Sequence, residues 1–104
     1  MHGNSNKNKK LHHLYEIRDS VEDDVFKYGI SHDPIDEDGM SKRSRDQVDF
    51  LNLGVGWLRF FVRILIRYIP GRVEAKRLEK GFIQRYANEH GYRPRGNRER
   101  TAGE

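Results

Sequence analysis

Two short segments, LYEI at residues 14–17 and VFKYGI at residues 25–30, decide the fold of this chain. The first is a short apolar alternation and the second is rich in β-branched and aromatic residues, and both patterns are typical of β-strands. The polar residues 18–24 between them predict a turn. The sequence therefore predicts a β-hairpin as the first structural unit.

A third strand is predicted from about residue 61 to residue 69. Its side chains follow a strand-like alternation, β-branched residues are frequent, and a Pro-Gly pair at residues 70–71 ends it. A competing helical spacing is set by three arginines, which recur every four residues: Arg59, Arg63 and Arg67. That spacing leaves a second interpretation, in which residues 57–69 form an amphipathic basic helix on a protein or membrane surface.

A first helix is predicted over residues 41–52, with Ser41 as its N-cap. Gly54 and Gly56 end it, and three apolar residues are expected to face inward: Val48, Leu51 and Phe50. Together with a second helix near the C-terminus, these elements predict an α/β fold. It is a small three-stranded antiparallel sheet flanked by helices, in the order β-β-α-β-α.

The second helix is predicted over residues 72–90, with Gly91 as its C-cap. At about 100° per residue, four side chains form one apolar stripe: Leu78, Phe82, Ile83 and Tyr86. Glu79 falls inside that stripe, and burying a bare carboxylate costs several kcal/mol. Glu79 is therefore expected to pair with a neighbouring arginine at the edge of the stripe, to be protonated, or to bind a metal ion.

The composition describes one small domain. Of the 104 residues, 35% are apolar and 35% are charged, and the net charge is +4. The absence of cysteine excludes disulfides, a thiolate zinc site and a cysteine nucleophile. The longest apolar stretch carries three arginines, which excludes a membrane span. We expect a disordered leader or linker at residues 1–12, the domain at residues 13–98 and a flexible tail at residues 99–104, and the basic C-terminal third favours a polyanion as partner.

The order of these segments resembles the GIY-YIG nuclease superfamily. The hairpin matches its paired strands, and KRSRDQV at residues 42–48 matches the helix that carries its arginine, here Arg43. EAKRLE at residues 74–79 resembles the helix with its metal-binding glutamate, here Glu79, and GYRPRGN at residues 91–97 resembles the segment that carries its asparagine, here Asn97. Within the superfamily, the sequence is most similar to nuclease domains at the ends of bacterial polymorphic toxins.

The resemblance implies a metal-dependent endonuclease, with DNA favoured over RNA as its substrate, as the effector domain of a toxin. It implies a bacterial protein that is secreted or delivered into the cytoplasm of a target cell, or that is cytoplasmic, with a cognate immunity protein as partner. Glu79 would hold Mg²⁺ or Mn²⁺, an ion that prefers hard oxygen ligands. Arg43 would contact the non-bridging phosphate oxygens, and Asn97 would position the glutamate loop or the substrate backbone.

The proton carrier depends on the register of the second strand. Tyr15 would take the proton of the attacking water, with Lys27 lowering its pKa. The family's first glycine is His13 here, and its second tyrosine falls on Lys27, with Tyr28 one place later. Because side chains alternate along a strand, either Lys27 lies on the catalytic face and Tyr28 packs inward, or a slip by one residue exchanges the two roles.

Basic residues near the C-terminus are expected to contact phosphates: Arg93, Arg95 and Arg98. Arg45 would replace Arg43 in the site if the phase of the first helix differs. Four histidines lack the spacing of metal ligands and are expected at the surface: His12, His13, His32 and His90. Besides the amphipathic helix, a second alternative function is a nucleic-acid-binding module without catalysis.

Overall fold

A computed structural model describes residues 9–98. The residues predicted as a flexible tail (99–104) and most of those predicted as a leader (1–12) lie outside this range. Strand β1 begins at Leu11, two residues before the expected start of the domain at residue 13. None of the helices in the described part of the chain is long and apolar enough to cross a membrane.

The sheet is built around its first strand. Strand β1 (Leu11–Asp19) lies between β2 (Asp24–Ser31) and β3 (Phe60–Pro70), and both pairings are antiparallel. Helix α1 (Lys42–Val55) lies between β2 and β3 in the chain, and helix α2 (Gly71–His90) follows β3. The predicted α/β class and the β-β-α-β-α order are confirmed.

The two helices pack on opposite faces of β1. On one face Tyr15 and Ile17 form a core with Val48 of α1. On the other face Leu14 packs with Ala75 of α2. Because side chains alternate along a strand, a central strand covered on both sides buries nearly every residue it has, and this determines the environment of the polar residues of β1.

A β-bulge interrupts the pairing of β1 with β2. Lys27 pairs with Ile17, but the next pair is Val25 with Arg18, so Phe26 is an extra residue in β2. The bulge shifts the alternation of side chains by one residue. As a result, Tyr28 and Val25 lie on the same face although they are three residues apart.

Helix α1 begins as predicted and ends later than predicted. Ser41 is the N-cap, and it exchanges side-chain hydrogen bonds with Ser44 in a capping box. The helix continues through Gly54 and ends at Gly56, whose φ of 82° is the left-handed conformation that favours glycine. The prediction that Phe50 faces inward is wrong, because its side chain is 76% exposed. Phe50 lies among further exposed apolar side chains near the C-terminal end of α1: Leu53, Trp57 and Leu58.

The segment with two interpretations is a strand. Residues 60–70 form β3, which pairs with β1 along its length, so the amphipathic helix over residues 57–69 is excluded. Helix α2 follows directly, and Gly91 ends it in the left-handed conformation, as predicted. Its apolar stripe faces the sheet, where Phe82 and Tyr86 pack with Val25 and Tyr28. After α2, a short 3-10 turn (Arg95–Asn97) lies beside β2.

Candidate functional site

The Tyr15 side chain lies across β2, and Gly29 makes that possible. The two residues are cross-strand partners, and a Cβ at Gly29 would stand 2.5 Å from the Tyr15 hydroxyl oxygen. The fully buried Tyr15 donates a hydrogen bond of 2.6 Å from this hydroxyl to Gln47 Oε1 of α1. Since β2 is an edge strand, a tyrosine in the central strand thereby presents its hydroxyl near the edge of the sheet.

The register of β2 puts Lys27 with Tyr15. Directly paired residues share a face, and Lys27 pairs with Ile17 while Gly29 pairs with Tyr15. Tyr28 lies on the opposite face, where its ring centroid is 5.5 Å from that of Phe82 in the core under α2. The first of the two predicted registers is therefore observed, and the structure does not bring Tyr28 to the cluster.

Arg43 and Glu79 complete the cluster from the two helices. Arg43 lies in the first turn of α1, where its backbone N–H donates to Asp33 Oδ2 at 3.1 Å, and its exposed guanidinium lies beside the Tyr15 hydroxyl. Glu79 of α2 interacts electrostatically with Tyr15, Lys27 and Arg43. Of the residues predicted for catalysis, four are thus close enough to interact electrostatically: Tyr15, Lys27, Arg43 and Glu79.

Burial determines the proton affinities of Tyr15 and Lys27. Burial raises the pKa of the Tyr15 phenol above its ordinary value, and the opposing Arg43 guanidinium is too weak to reverse this. The expectation that Lys27 lowers this pKa is wrong, because burial outweighs the nearby positive charge. Burial and Arg43 instead lower the pKa of Lys27 itself, against the attraction of Glu79. The pKa of Lys27 is therefore shifted toward neutral pH.

The Glu79 carboxylate faces the protein interior, as its position in the helix predicted. Its side chain is 15% exposed, and its ion-pair partner is Lys76 Nζ at a loose 3.9 Å. Burial raises the pKa of the Glu79 carboxyl, and four surrounding cations oppose the shift: Lys76, Lys27, Arg72 and Arg43. Glu79 is thus a carboxylate held in a positively charged environment without a close partner.

The donor set fits one kind of metal ion. Within residues 9–98 no group of three or more histidine, cysteine, aspartate or glutamate side chains is placed to hold a metal. A site with one carboxylate suits an ion that retains most of its water ligands, as Mg²⁺ does. The four surrounding cations repel a metal cation, so Glu79 suits such an ion best when an anion is bound beside it.

A family model described as URI fold toxin 2 matches residues 5–91, which is most of the chain. The chain belongs to this toxin family. The expectation of a toxin domain is thereby confirmed, and the family description names no reaction. No match to the chain was found among curated proteins or among solved structures.

In this member of the URI fold toxin 2 family, Asn97 holds the edge of the sheet. Its Nδ2 donates to the Tyr28 carbonyl at 2.9 Å, and its Oδ1 accepts from the Tyr28 N–H at 2.6 Å. A Cβ at the adjoining Gly96 would stand 2.8 Å from Lys27 Cβ, so the segment packs directly on the lysine. Asn97 therefore positions β2 and Lys27, and the prediction that it orients the glutamate or the substrate is replaced by this role.

Most arginines predicted to contact nucleic acid are engaged within the toxin domain. Arg45 bonds to Asp36 and Asp38 at 2.8 and 2.9 Å, so it does not substitute for Arg43. Arg95 binds Asp19 Oδ2 at 2.6 Å and lies over the Phe26 ring. Two further predicted residues lie in the exposed segment beyond α2, where Arg98 covers the Tyr92 ring and Arg93 precedes the buried Pro94. The expected phosphate surface is therefore smaller than the charge count implies.

Two of the histidines expected at the surface are buried. His12 and His13 are buried in the central strand, and His13 Nε2 lies 3.0 Å from the Ser41 hydroxyl at the start of α1. His90 does lie at the surface, stacked on Tyr86. The signal that could have found them is the position of His12 and His13 directly before the LYEI segment. A central strand that is covered on both faces also buries the residues that extend it.

Asp19 was also missed, because its charged partners are distant in sequence. This buried carboxylate accepts bonds from Arg59 Nη2 at 2.7 Å and from Arg95, and the N–H groups of Val21 and Glu22 cap the same side chain. These partners, Arg59 above all, hold the Asp19 pKa far below its ordinary value. Asp19 stabilises the fold and takes no part in the Tyr15 cluster.

Proposed function

We propose that this toxin domain is a metal-dependent endonuclease that cleaves phosphodiester bonds in nucleic acid, with DNA as the favoured substrate. The observation that carries the proposal is the convergence of Tyr15, Lys27, Arg43 and Glu79 from two strands and two helices. These side chains include a carboxylate for a metal ion, a cation for the phosphate and a lysine with lowered proton affinity, which is the set that phosphodiester hydrolysis requires.

Glu79 is the residue that would hold Mg²⁺ or Mn²⁺. Such an ion supplies Lewis-acid stabilisation of charge on the leaving oxygen. Because four cations surround the carboxylate, we expect weak metal binding to the free protein and stronger binding once substrate phosphates neutralise those charges. The negative substrate and the metal would therefore bind cooperatively.

Lys27 is the proposed proton acceptor. Its lowered pKa leaves a larger fraction of neutral amine than an exposed lysine has at the same pH. The oxygen of a water molecule bonds to phosphorus as the bond to the leaving oxygen breaks, and the proton of that water passes to Lys27 Nζ. Tyr15 keeps its proton, because burial raises its pKa, and its hydroxyl stays hydrogen-bonded to Gln47 beside Arg43.

Arg43 binds the non-bridging oxygens of the scissile phosphate. Its guanidinium is exposed and lies beside the buried Tyr15 hydroxyl, so a phosphate can reach this guanidinium from solvent. A planar guanidinium contacts two phosphate oxygens at once, whereas a lysine ammonium acts as a point charge. Stabilisation of this kind is commonly worth about 10²- to 10³-fold in rate.

As a toxin, the domain would be delivered by a bacterium into the cytoplasm of a target cell, and a cognate immunity protein would protect the producer. The membership of a toxin family supports this setting. The alternative of a nucleic-acid-binding module without catalysis has less support, because Arg45 and Arg95 are already paired with aspartates.

Degradation of plasmid DNA and of a structured RNA, each with Mg²⁺ or Mn²⁺, tests the proposal. We expect Glu79→Gln and Arg43→Ala to lose at least about 10²-fold in rate, while Glu89→Gln, on the exposed side of the same helix, keeps wild-type activity. Equal rates for Glu79→Gln and Glu89→Gln would exclude the metal role of Glu79. Cleavage of RNA alone would correct the substrate.

A further inference from the structure

A small pocket beside the Tyr15 cluster has the features of an anion site. It has a volume of about 120 Å³, and its lining includes His12, His32, Asp33, Arg43 and Arg72. That volume is well above the roughly 10–15 Å³ that one water molecule needs. Arg43 belongs both to this pocket and to the cluster, so the two spaces adjoin.

Both buried side-chain nitrogens that lack a hydrogen-bond partner line this pocket. Within residues 9–98 these atoms are His12 Nε2 and Arg72 Nε. His12 is 2% exposed, so bulk water does not satisfy its ring. Buried polar atoms are almost always paired with protein or with ordered water, so these two nitrogens need oxygen atoms from a group in the cavity, which is either water or a ligand.

The charge of the pocket selects an anion. Two guanidiniums, from Arg43 and Arg72, face one carboxylate, from Asp33, and Oδ2 of that carboxylate already accepts the Arg43 backbone N–H. Arg72 is the second residue of α2, and the N-cap Pro70 gives the first turn no side-chain acceptor. The positive end of this helix dipole therefore adds to the guanidinium charges.

His12 can change its hydrogen-bonding role when an anion binds. Its Nδ1 lies 2.7 Å from the Lys10 carbonyl oxygen and must donate to it, so Nε2 is bare in the neutral ring and carries a hydrogen in the charged ring. Burial, His32 and Arg72 lower the His12 pKa. Asp33 and Arg43 are the other charged groups in the same lining. A bound anion offsets the positive charges, so the ring can gain a proton at Nε2 and donate it to the ligand.

We propose that this pocket binds a backbone phosphate of the nucleic-acid substrate, next to the phosphate that is cleaved. The guanidinium of Arg72 and the ring of His12 hold its oxygens, and Arg43 borders both this pocket and the Tyr15 cluster. The identity of the ligand rests on the proposed nuclease function, whereas the affinity of the pocket for phosphate does not. The site would fix which bond of the strand reaches Tyr15 and Lys27.

Inorganic phosphate and the thymidine dinucleoside monophosphate are the probes, with thymidine as the uncharged comparison. Titrations followed by ¹⁵N NMR of the histidine rings near neutral pH should show saturable binding of both phosphate probes and protonation of His12 Nε2. Arg72→Gln should weaken both by at least tenfold. Arg85→Gln removes the same charge from the exposed side of α2 and should leave both unchanged.

Equal phosphate affinity in Arg72→Gln and wild type, or an unmoved His12 signal in the wild-type protein at saturating phosphate, would overturn the proposal. Binding of inorganic phosphate without binding of the dinucleoside would show a free-phosphate site and overturn the backbone assignment. If the wild-type protein cleaves no nucleic acid but both phosphate probes bind as expected, the nuclease function fails while the phosphate pocket stands. The two hypotheses are thus separable.

Discussion

Replacing Gly29 by alanine tests whether the Tyr15 ring needs a bare backbone beneath it. The new methyl group would stand 2.5 Å from the Tyr15 hydroxyl oxygen and too close to two ring carbons. Gly29 is paired with β1, so the backbone is held and the ring must move. A displaced ring loses its hydrogen bond to Gln47 and takes the hydroxyl away from Arg43.

The expected cost follows from these contacts. Overpacking a filled interior costs about 1–3 kcal/mol, and the lost Tyr15–Gln47 hydrogen bond adds about 1 kcal/mol. The reduced freedom of alanine in the unfolded chain offsets about 0.4–1 kcal/mol. We expect the free energy of unfolding to fall by about 2 kcal/mol, which lowers Tm by about 8–16 °C in a domain of this size.

Urea and thermal unfolding of Gly29→Ala beside Gly81→Ala measure this effect. A Cβ at Gly81, in α2, meets nothing within 4 Å, so that variant should be neutral or more stable. In a Tyr15→Ala background the cost of Gly29→Ala should largely disappear, because the clashing ring is gone. An equal cost with and without the ring, or a Gly29→Ala as benign as Gly81→Ala, would refute the close approach.

Three further predictions follow from the charged and polar contacts. Asp19→Asn should lower the free energy of unfolding by about 3 kcal/mol at neutral pH, because Arg59 and Arg95 lose their shared partner. The pKa of Asp19 is lower in the folded state than in the unfolded chain, where it is about 3.9. The stabilisation by its carboxylate is therefore fully present above about pH 3.9 and is lost as the pH falls through the folded-state pKa. Acid unfolding curves of wild type and variant should therefore converge. Asn97→Ala should cost about 1–2 kcal/mol and speed amide hydrogen exchange at Tyr28, whereas Asn88→Ala, on the exposed side of α2, should leave that amide unchanged. Lys27→Arg keeps the positive charge but cannot accept a proton, so nuclease activity should fall by about 10²-fold or more. The activity of the wild-type protein should rise with pH through the lowered pKa of Lys27. A variant with the wild-type rate and pH profile would exclude Lys27 as the proton acceptor.

The elements could be predicted where local signals agree. The Ser41 cap, the Pro-Gly pair at the end of β3 and the Gly91 cap all mark boundaries that depend on neighbouring residues alone. The inward direction of Glu79 followed from helical periodicity for the same reason. The prediction that α1 ends before Gly54 was wrong, because a single glycine costs a helix only about 1 kcal/mol. The helix continues past Gly54 to the left-handed cap at Gly56.

Features that depend on distant partners could not be predicted. Arg95 looked free in the sequence, and its partner Asp19 lies 76 residues away. The bulge at Phe26, which shifts the side-chain alternation of β2 by one residue, leaves no mark in the composition of the strand. The pKa shifts of Tyr15 and Lys27 could not be predicted, because they depend on how deeply these side chains are buried, and that depth depends on both helices together.

The clamp between Asn97 and Tyr28 has a consequence for solubility. An uncovered edge strand is a template on which other chains can add strands and aggregate, and the 3-10 turn shields part of the outer edge of β2. The region matched by the family ends at residue 91, before this turn. A protease that removed residues 92–98 would leave the matched region intact while it opened the sheet to self-association and released Lys27 from its support.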